Sequence, residues 1–299
     1  MTHVFQHDET TPAAVDGPQA FVTGWPVWHS RSPLIHATWL EAYRLPGAYC
    51  RLGIPPEEIE DFLEGFLDGP YVGGNVTIPH KESVFRAVEK RDAAAQAIGA
   101  VNTLWREGGT LVGGNTDAYG FAANLDERLA GWADAGEALV LGAGGAARAV
   151  VHALLERGVK RVSILNRTAS RAQALAESFG SRVAGHGEEA RETLLARADL
   201  LVNTVPMPPV DPEMERYGYE PKLPDLGALS GHALVTDIVY VPVETPTLRA
   251  AAARGLRTAD GLGMLLHQAV PGFERWFGRR PEVSDALRAA VLADIVKAG

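Results

Sequence analysis

The chain has 299 residues, 46% hydrophobic and 22% charged, with a net charge of −9. This supports one large or two medium globular domains, and the acidic balance argues against a nucleic-acid or anionic-membrane surface. No apolar stretch approaches the roughly 18–20 residues that span a bilayer, and the lone Cys50 excludes a disulfide framework or a cysteine-based zinc site.

Residues 1–18 are polar and acidic and lack the charged start and apolar run of a secretory signal, so they read as a mobile leader to a cytoplasmic chain. AFVTG (20–24) is a short buried-strand pattern ending in a glycine turn. Ser32-Pro33 opens a helical pattern through Arg44, because serine caps a helix and proline suits its first turn. Residues 49–54 read as a strand. Residues 56–67 read as a helix with Ile59, Phe62, Leu63, Phe66 and Leu67 on one apolar face. A strand over 71–77 runs into Pro79 and a further helix, and strand patterns at 100–106 and 110–114 flank the turn Gly108-Gly109. Strand alternating with helix favours a largely parallel sheet covered by helices.

A second series begins after a helix at about 118–130. It runs through a strand at 138–141, a helix at 145–157, a strand at 161–165, a helix at 168–179, and strands at 200–203 and 233–237. Between the last two lies VPMPPVDPEMERYGYEPKLPDLG, a proline-rich surface loop over about 206–230 of the kind that can cover a site. Two final helices, about 259–276 and 284–297, have no strand of their own and must pack on one of the lobes. The expected architecture is α/β and two-lobed, with a small-molecule cleft between the lobes.

Gly142-Ala143-Gly144-Gly145-Ala146-Ala147 fits G-x-G-x-x-A directly after a strand and before a helix, the context that a dinucleotide motif requires. Gly142 permits the tight turn, Gly144 lets backbone approach a pyrophosphate, and Ala147 keeps the helix close to the sheet. The helix N-terminus then offers free N–H groups to phosphate. At the end of the next strand, where an NAD-specific fold places an acid on the ribose, the chain reads Asn166-Arg167-Thr168, with Arg171 one turn on. Guanidiniums and a hydroxyl there favour a 2′-phosphate, and hence NADP. The alternative is that Thr168 caps the next helix and both arginines are solvated.

Three strings stand out in the first lobe. In Gly24-Trp-Pro-Val-Trp-His29-Ser30-Arg-Ser32-Pro33-Leu-Ile-His36, two alternating hydroxyls can grip a carboxylate, or Ser32 is a helix cap and Ser30 a loop hydroxyl. No nearby carboxylate or third ligand supports a metal on His29 and His36, so no metal is expected. In Asn75-Val76-Thr77-Ile78-Pro79-His80-Lys81, a lysine near a helix start opposes the dipole, although a solvated surface charge is the ordinary reading. Ala100-Val-Asn102-Thr103 is followed by Asn115-Thr116-Asp117, where Asp117 is a credible helix N-cap.

Taken together, these strings resemble the shikimate dehydrogenase family over almost the whole chain after residue 19. G-x-P-x-x-H-S-x-S-P-x-x-H, N-V-T-x-P-x-K, A-V-N-T, N-T-D, G-A-G-G-A-x-R-A, N-R-T-x-x-R-A and D-G-L-G-M-L-x-x-Q-A occur in order and with family-like spacing. The resemblance implies a substrate-binding domain over 19–117 and 261–299, the C-terminal helices returning to the first lobe, and a Rossmann-like NADP-binding domain over 118–260. It implies reversible NADPH-dependent reduction of 3-dehydroshikimate to shikimate, a step toward chorismate and the aromatic amino acids. Lys81 and Asp117 would be the catalytic pair. Ser30 and Ser32, helped by Tyr240, would bind the substrate carboxylate. Asn75 and Thr77 would line the site, and Asn102 and Gln268 would hold ring hydroxyls. Gly142, Ala143, Gly144, Gly145 and Ala146 would cradle the cofactor, Asn166, Arg167, Thr168 and Arg171 its 2′-phosphate, and Gly261 and Met264 would lie near the nicotinamide. The implied partner is a small-molecule substrate, with no nucleic acid or membrane, in a monomer or homodimer. The rivals are a quinate/shikimate dehydrogenase with NAD use and a catalytically silent NADP-sensing protein.

The chain departs from the family at two places. His80 stands where an aromatic residue is common, and a histidine there could alter the pocket wall or the Lys81 pKa. After the strand at 200–203 the chain reads Thr204-Val205-Pro206-Met207-Pro208 instead of small hydroxyl residues and a glycine.

Overall fold

A computed structural model describes residues 6–7, 16–207 and 224–298. The chain divides into two compact units, Met1–Asp117 with Leu266–Gly299, and Ala118–Leu265.

The first unit is built on strands β1 (Gln6–His7), β2 (Gln19–Gly24), β3 (Ala48–Gly53), β4 (Tyr71–Val76), β5 (Lys90–Arg91), β6 (Thr103–Glu107) and β7 (Thr110–Gly114). They form a seven-stranded sheet in the order β1-β3-β2-β4-β6-β7-β5. Helices α1 (Ser32–Tyr43), α2 (Ile59–Glu64), α3 (Lys81–Ala87) and α4 (Ala93–Ile98) connect them. The sheet is mixed, where a largely parallel one was expected. β2 pairs in parallel with β3 and β4, but β6 is antiparallel to both β4 and β7. The cause is Gly108-Gly109, whose φ values of 58° and 79° make a two-residue hairpin turn matched to the strand twist.

Of the expected leader, Gln6–His7 pair with Leu52 and Gly53 at the sheet edge, while 1–5 and 8–15 lie outside the described residues. The helix expected over 56–67 is divided into a 3₁₀ turn, α2 and a second 3₁₀ turn. Gly65, a poor helix former, ends α2 by donating back to the Asp61 and Leu63 carbonyls. Ile59, Phe62, Leu63 and Phe66 are buried as the apolar face requires, but Leu67 is exposed.

The centre of the unit is buried on both faces of β2. Phe21 packs with Leu52, Phe62 and Phe66 on one side, and Ala20 and Val22 pack with Tyr49, Trp105 and Trp276 on the other. The last residue of that group comes from helix α10 (Leu262–Phe277), which is followed by α11 (Asp285–Ala298). Trp276 Nε1 donates to the Leu104 carbonyl and Trp39 Nε1 to the Glu282 carbonyl, each at 2.9 Å. The C-terminal helices thus pack on the first unit.

The second unit holds a six-stranded sheet of β8 (Glu137–Leu141), β9 (Arg161–Leu165), β10 (Val183–His186), β11 (Leu200–Asn203), β12 (Leu234–Asp237) and β13 (Arg257–Ala259). Its order is β10-β9-β8-β11-β12-β13, and every pair is parallel. Its helices are α5 (Asp117–Arg128), α6 (Gly145–Glu156), α7 (Ala169–Glu177), α8 (Arg191–Arg197) and α9 (Pro246–Ala253). The order reverses between β8 and β11, and open parallel sheets bind ligands at the carboxyl ends of such a pair.

Sequence patterns did not anticipate β10, α8, α9 or β13. β10 contains Gly185, where any Cβ would meet the Ala172 backbone of α7, so close helix packing replaces an apolar pattern. α9 did carry a signal: Thr245 accepts the Leu248 amide at 3.3 Å and Pro246 follows at the first helical position. Residues 208–223 of the expected loop lie outside the described residues. At its end, Leu226 and Leu229 are core, not surface, packing with Leu201 and Val235.

Candidate active site

In the first unit, β4 ends near Asn75, β6 starts after Asn102, α3 opens at Lys81, and Asp117 follows β7. Strand direction brings these four positions to one end of β4, β6 and β7. Lys81 Nζ donates to Asp117 Oδ2 at 2.6 Å, with the side chains 29% and 15% exposed. The ammonium at the start of α3 opposes the helix dipole, and the carboxylate in contact with it offsets that cost. Asn102 Nδ2 donates to Asp117 Oδ1 at 2.8 Å. The Asp117 carboxylate is therefore turned to Lys81 and Asn102, while its amide donates to Asn115 Oδ1 at 3.0 Å.

Behind the pair, Asn102 Oδ1 accepts from the Thr116 amide at 2.8 Å and from Thr103 Oγ1 at 2.7 Å. Asn75 Nδ2 donates to the Asn102 carbonyl at 3.2 Å and to Thr103 Oγ1 at 3.3 Å. Asn75 Oδ1 accepts from the Tyr49 hydroxyl at 2.6 Å. Burial pushes the Tyr49 phenol well above its ordinary value, so it stays a donor. The ring of Tyr49 stacks on His36 at 3.9 Å and 8°. His36 is fully buried, and burial lowers its pKa to about 3, against a smaller opposing effect of Asn75.

Ser32 is the first residue of α1, one position inside the helix from the cap expected of it. Arg31 occupies the cap without a side-chain bond, so the Ser32 hydroxyl is not committed to the helix end. Ser30 Oγ accepts the Ser32 amide at 3.3 Å, and the Ser30 carbonyl accepts from the Arg51 guanidinium at 2.7 Å. The two serines therefore share one short turn. Thr77 follows β4, half-buried, with its amide on the Thr23 carbonyl at 2.8 Å. Gln268 is half-buried on α10.

His80, the first departure from the family pattern, is buried. Its ring is turned into the core, where Nε2 donates to the Ile54 carbonyl at 2.8 Å. Burial pushes its pKa down, so it is neutral and adds no charge beside Lys81.

In the second unit, β8 ends at Leu141 and the chain turns through Gly142 into α6. Gly142 has a φ of 99°, and a Cβ there would lie 2.7 Å from Thr204 Oγ1, so this turn requires glycine. A Cβ at Gly144 or Gly145 would meet nothing within 4 Å, and Gly144, Gly145 and Ala146 are exposed. The chain's own packing does not explain two glycines with open space in front of them. Open space of this kind is what a phosphate approaching the backbone requires. Gly144 caps α6 with no side-chain bond, which leaves its first-turn amides facing out. Ala143 is half-buried in the same loop.

At the end of β9, Arg167, Thr168 and Arg171 are exposed and Asn166 is half-buried, its Nδ2 donating to the Thr168 carbonyl at 2.9 Å. Thr168 occupies the cap position of α7, but its side chain makes no capping bond. These features fit a dinucleotide bearing an extra phosphate.

Tyr240 is half-buried in the segment after β12. That segment is braced by Asp237, whose buried carboxylate accepts from Asn203 Nδ2 at 2.9 Å, Thr245 Oγ1 at 2.7 Å and the Val239 amide at 3.0 Å. Burial raises the Asp237 pKa, and these bonds partly offset it. A Cβ on buried Gly261 would meet the Ile238 carbonyl, and Met264 is half-buried. Sequence reasoning assigned no role to Tyr49, Thr116 or Asp237; Tyr49 and Asp237 lie inside strands, whereas Thr116 stands in the Asn115-Thr116-Asp117 string. Among the described residues, no group of three His, Cys, Asp or Glu could hold a metal, and no helix is long and apolar enough to cross a membrane.

A six-stranded parallel sheet with this glycine turn at its switch point defines the class of dinucleotide-binding proteins. Residues 22–104 match the shikimate dehydrogenase substrate binding domain, 125–209 the shikimate / quinate 5-dehydrogenase family, and 261–292 the shikimate 5'-dehydrogenase C-terminal domain. The chain is 56% identical over 284 residues to shikimate dehydrogenase (NADP(+)) of Brucella melitensis, covering 95% of this chain and 96% of the relative. It resembles shikimate 5-dehydrogenase from Thermus thermophilus in complex with NADP(H) and shikimate, at 34% identity and a TM-score of 0.76, covering 93% and 99% of the two chains. It also resembles quinate dehydrogenase from Corynebacterium glutamicum in complex with NAD, at 31% identity and a TM-score of 0.81, with 93% and 99% covered. The chain belongs to the shikimate dehydrogenase family.

Proposed function

We infer that this chain is an NADP-dependent shikimate dehydrogenase, an oxidoreductase that reversibly reduces the ring ketone of 3-dehydroshikimate to shikimate. The observation that carries the reading is the 2.6 Å contact between Lys81 and Asp117, in a chain whose 56%-identical relative is named for that activity and cofactor. The nicotinamide, when bound, supplies the hydride; orientation and proton handling fall to the protein. Lys81 is the proton carrier: its Nζ stabilises negative charge developing on the ketone oxygen and donates the proton to it, an effect typically worth about 10²–10⁴-fold. Asp117 holds that nitrogen in place through the same contact.

Ser30 and Ser32, with Tyr240, hold the substrate carboxylate. Asn75 and Thr77 line the site, and Asn102 and Gln268 hold ring hydroxyls. Gly142, Ala143, Gly144, Gly145 and Ala146 hold the pyrophosphate through backbone, while Asn166, Arg167, Thr168 and Arg171 hold the 2′-phosphate. Gly261 and Met264 flank the nicotinamide. In the same reading, the substrate domain comprises 19–117 and 261–299, the cofactor domain 118–260, and the enzyme is a cytoplasmic monomer or homodimer.

The test is purified protein with shikimate or quinate against NADP or NAD, followed at the nicotinamide absorbance. NADP reduction with shikimate, well above every other combination, is the expected result. Comparable quinate turnover with NAD would replace this reading with the quinate one, and cofactor binding without turnover would leave a silent sensor. The absence of a carboxylate across 166–171 favours the first outcome.

A further inference from the structure

We propose that Thr103 is a positioning residue for the reaction, acting through Asn102 on Asp117. This rests on the function inferred above and adds to it a residue that touches neither partner of the Lys81–Asp117 pair.

The argument begins with the two ends of the Asn102 side-chain amide. Its oxygen accepts and its nitrogen donates, so one orientation presents a donor to Asp117 and the flipped one presents an acceptor. A carboxylate facing an amide oxygen is repelled, whereas one facing N–H groups gains a charge-assisted hydrogen bond. The surroundings decide which end faces Asp117. Thr103 Oγ1 lies 2.7 Å from Asn102 Oδ1. The same hydroxyl oxygen accepts from Asn75 Nδ2 at 3.3 Å. Asn75 is itself fixed in sense, because its Oδ1 takes the Tyr49 proton at 2.6 Å. With its lone pairs turned to Asn75, the Thr103 hydroxyl has its single proton available for Asn102 Oδ1.

The result is a directed chain of donors. Tyr49 donates to Asn75, Asn75 to Thr103, Thr103 to Asn102, and Asn102 Nδ2 to Asp117 Oδ1 at 2.8 Å. Lys81 donates to the other carboxylate oxygen. Each bond polarises the next in the same sense, and all members behind Asp117 are buried. The Thr116 amide also donates to Asn102 Oδ1, at 2.8 Å, so Thr103 shares the work of holding the amide. Its removal therefore weakens the arrangement without abolishing it. Thr103 itself is fully buried on β6, where it cannot be a substrate ligand.

The experiment compares Thr103→Val, which keeps shape but removes the hydroxyl, with Thr103→Ser, which keeps the hydroxyl. Steady-state kinetics are run with shikimate and NADP. Thr103→Val is expected to lower kcat about tenfold and leave KM for NADP unchanged, while Thr103→Ser stays within twofold of the parent kcat. Should the valine variant not fold, Thr103→Cys, with a feeble donor of similar size, takes its place and the same tenfold loss is expected. The proposal is overturned if the variant without a hydroxyl keeps kcat within twofold of the parent. It is equally overturned if Thr103→Ser loses as much as that variant, since shape and not the proton would then be what matters. An inactive parent enzyme would instead overturn the function inferred above, so the two failures are distinguishable.

Discussion

Lys81 and Asp117 stand 36 residues apart in sequence and 2.6 Å apart in space. Each closes a different strand connection, and only the pairing of β4, β6 and β7 brings them together. Replacing Lys81 by alanine removes the ammonium without touching the glycine turn of the other unit. Lys81→Ala is therefore expected to lower kcat by about 10²–10⁴-fold while NADP binding, measured by fluorescence titration, changes by less than twofold. Retention of most of the turnover would remove Lys81 from the chemistry.

Two glycines of one loop are expected to respond differently to alanine. At Gly142 the backbone is left-handed and Thr204 closes the space, so Gly142→Ala should destabilise the fold by about 1–3 kcal/mol in chemical denaturation. At Gly144 the backbone is extended and the space open, so Gly144→Ala should leave stability within about 1 kcal/mol. It should nonetheless weaken NADP at least tenfold, because the new methyl occupies the room a phosphate needs. An unchanged NADP Kd in Gly144→Ala would place the pyrophosphate elsewhere.

Arg167 and Arg171 are exposed and, among the described residues, neither has an acidic partner to lose. A hydrogen bond to a charged group contributes about 1.5–3 kcal/mol. Arg167→Ser or Arg171→Ser should thus raise KM for NADP roughly tenfold to a hundredfold and leave KM for NAD nearly constant. Equal changes for both cofactors would show that these side chains do not read the 2′-phosphate.

His36 links stability to pH. Unfolded, it takes a proton near 6.5; folded, burial holds that step down to about 3. The stability gained by keeping it neutral is complete above about pH 6.5 and is lost progressively as pH falls toward 3, reaching about 2 kcal/mol by pH 5. His36→Phe keeps the stacking on Tyr49 and has nothing to protonate. Between pH 7.5 and 5.0, urea denaturation should show the parent losing about 2 kcal/mol more than the variant. Parallel profiles would mean that His36 is solvated after all.

Much of the second unit was legible from local patterns. Strand, glycine turn and helix from 138 to 157 are contiguous in sequence, and a phosphate-binding turn needs little beyond them: a positive φ at Gly142, free amides and room at Gly144. Shorter pieces such as β10 and α8 went unseen because β10 is fitted by a glycine against α7 rather than by an apolar pattern. In the first unit, the hairpin turn at Gly108-Gly109 was visible, but its consequence, an antiparallel strand inside a parallel series, was not.

The sequence by itself determined the family, the two α/β units and the glycine turn after β8, because each is written in short ordered strings. Tertiary structure alone decided which way the polar groups face. His80 turned inward, Ser32 entered the helix, and Asn102 presented its nitrogen to Asp117. The His80 and Asn102 outcomes depend on partners 26 and 15 positions away in the chain. A hydrogen bond's direction is fixed by whichever donor or acceptor the fold delivers to it, and no local pattern encodes that.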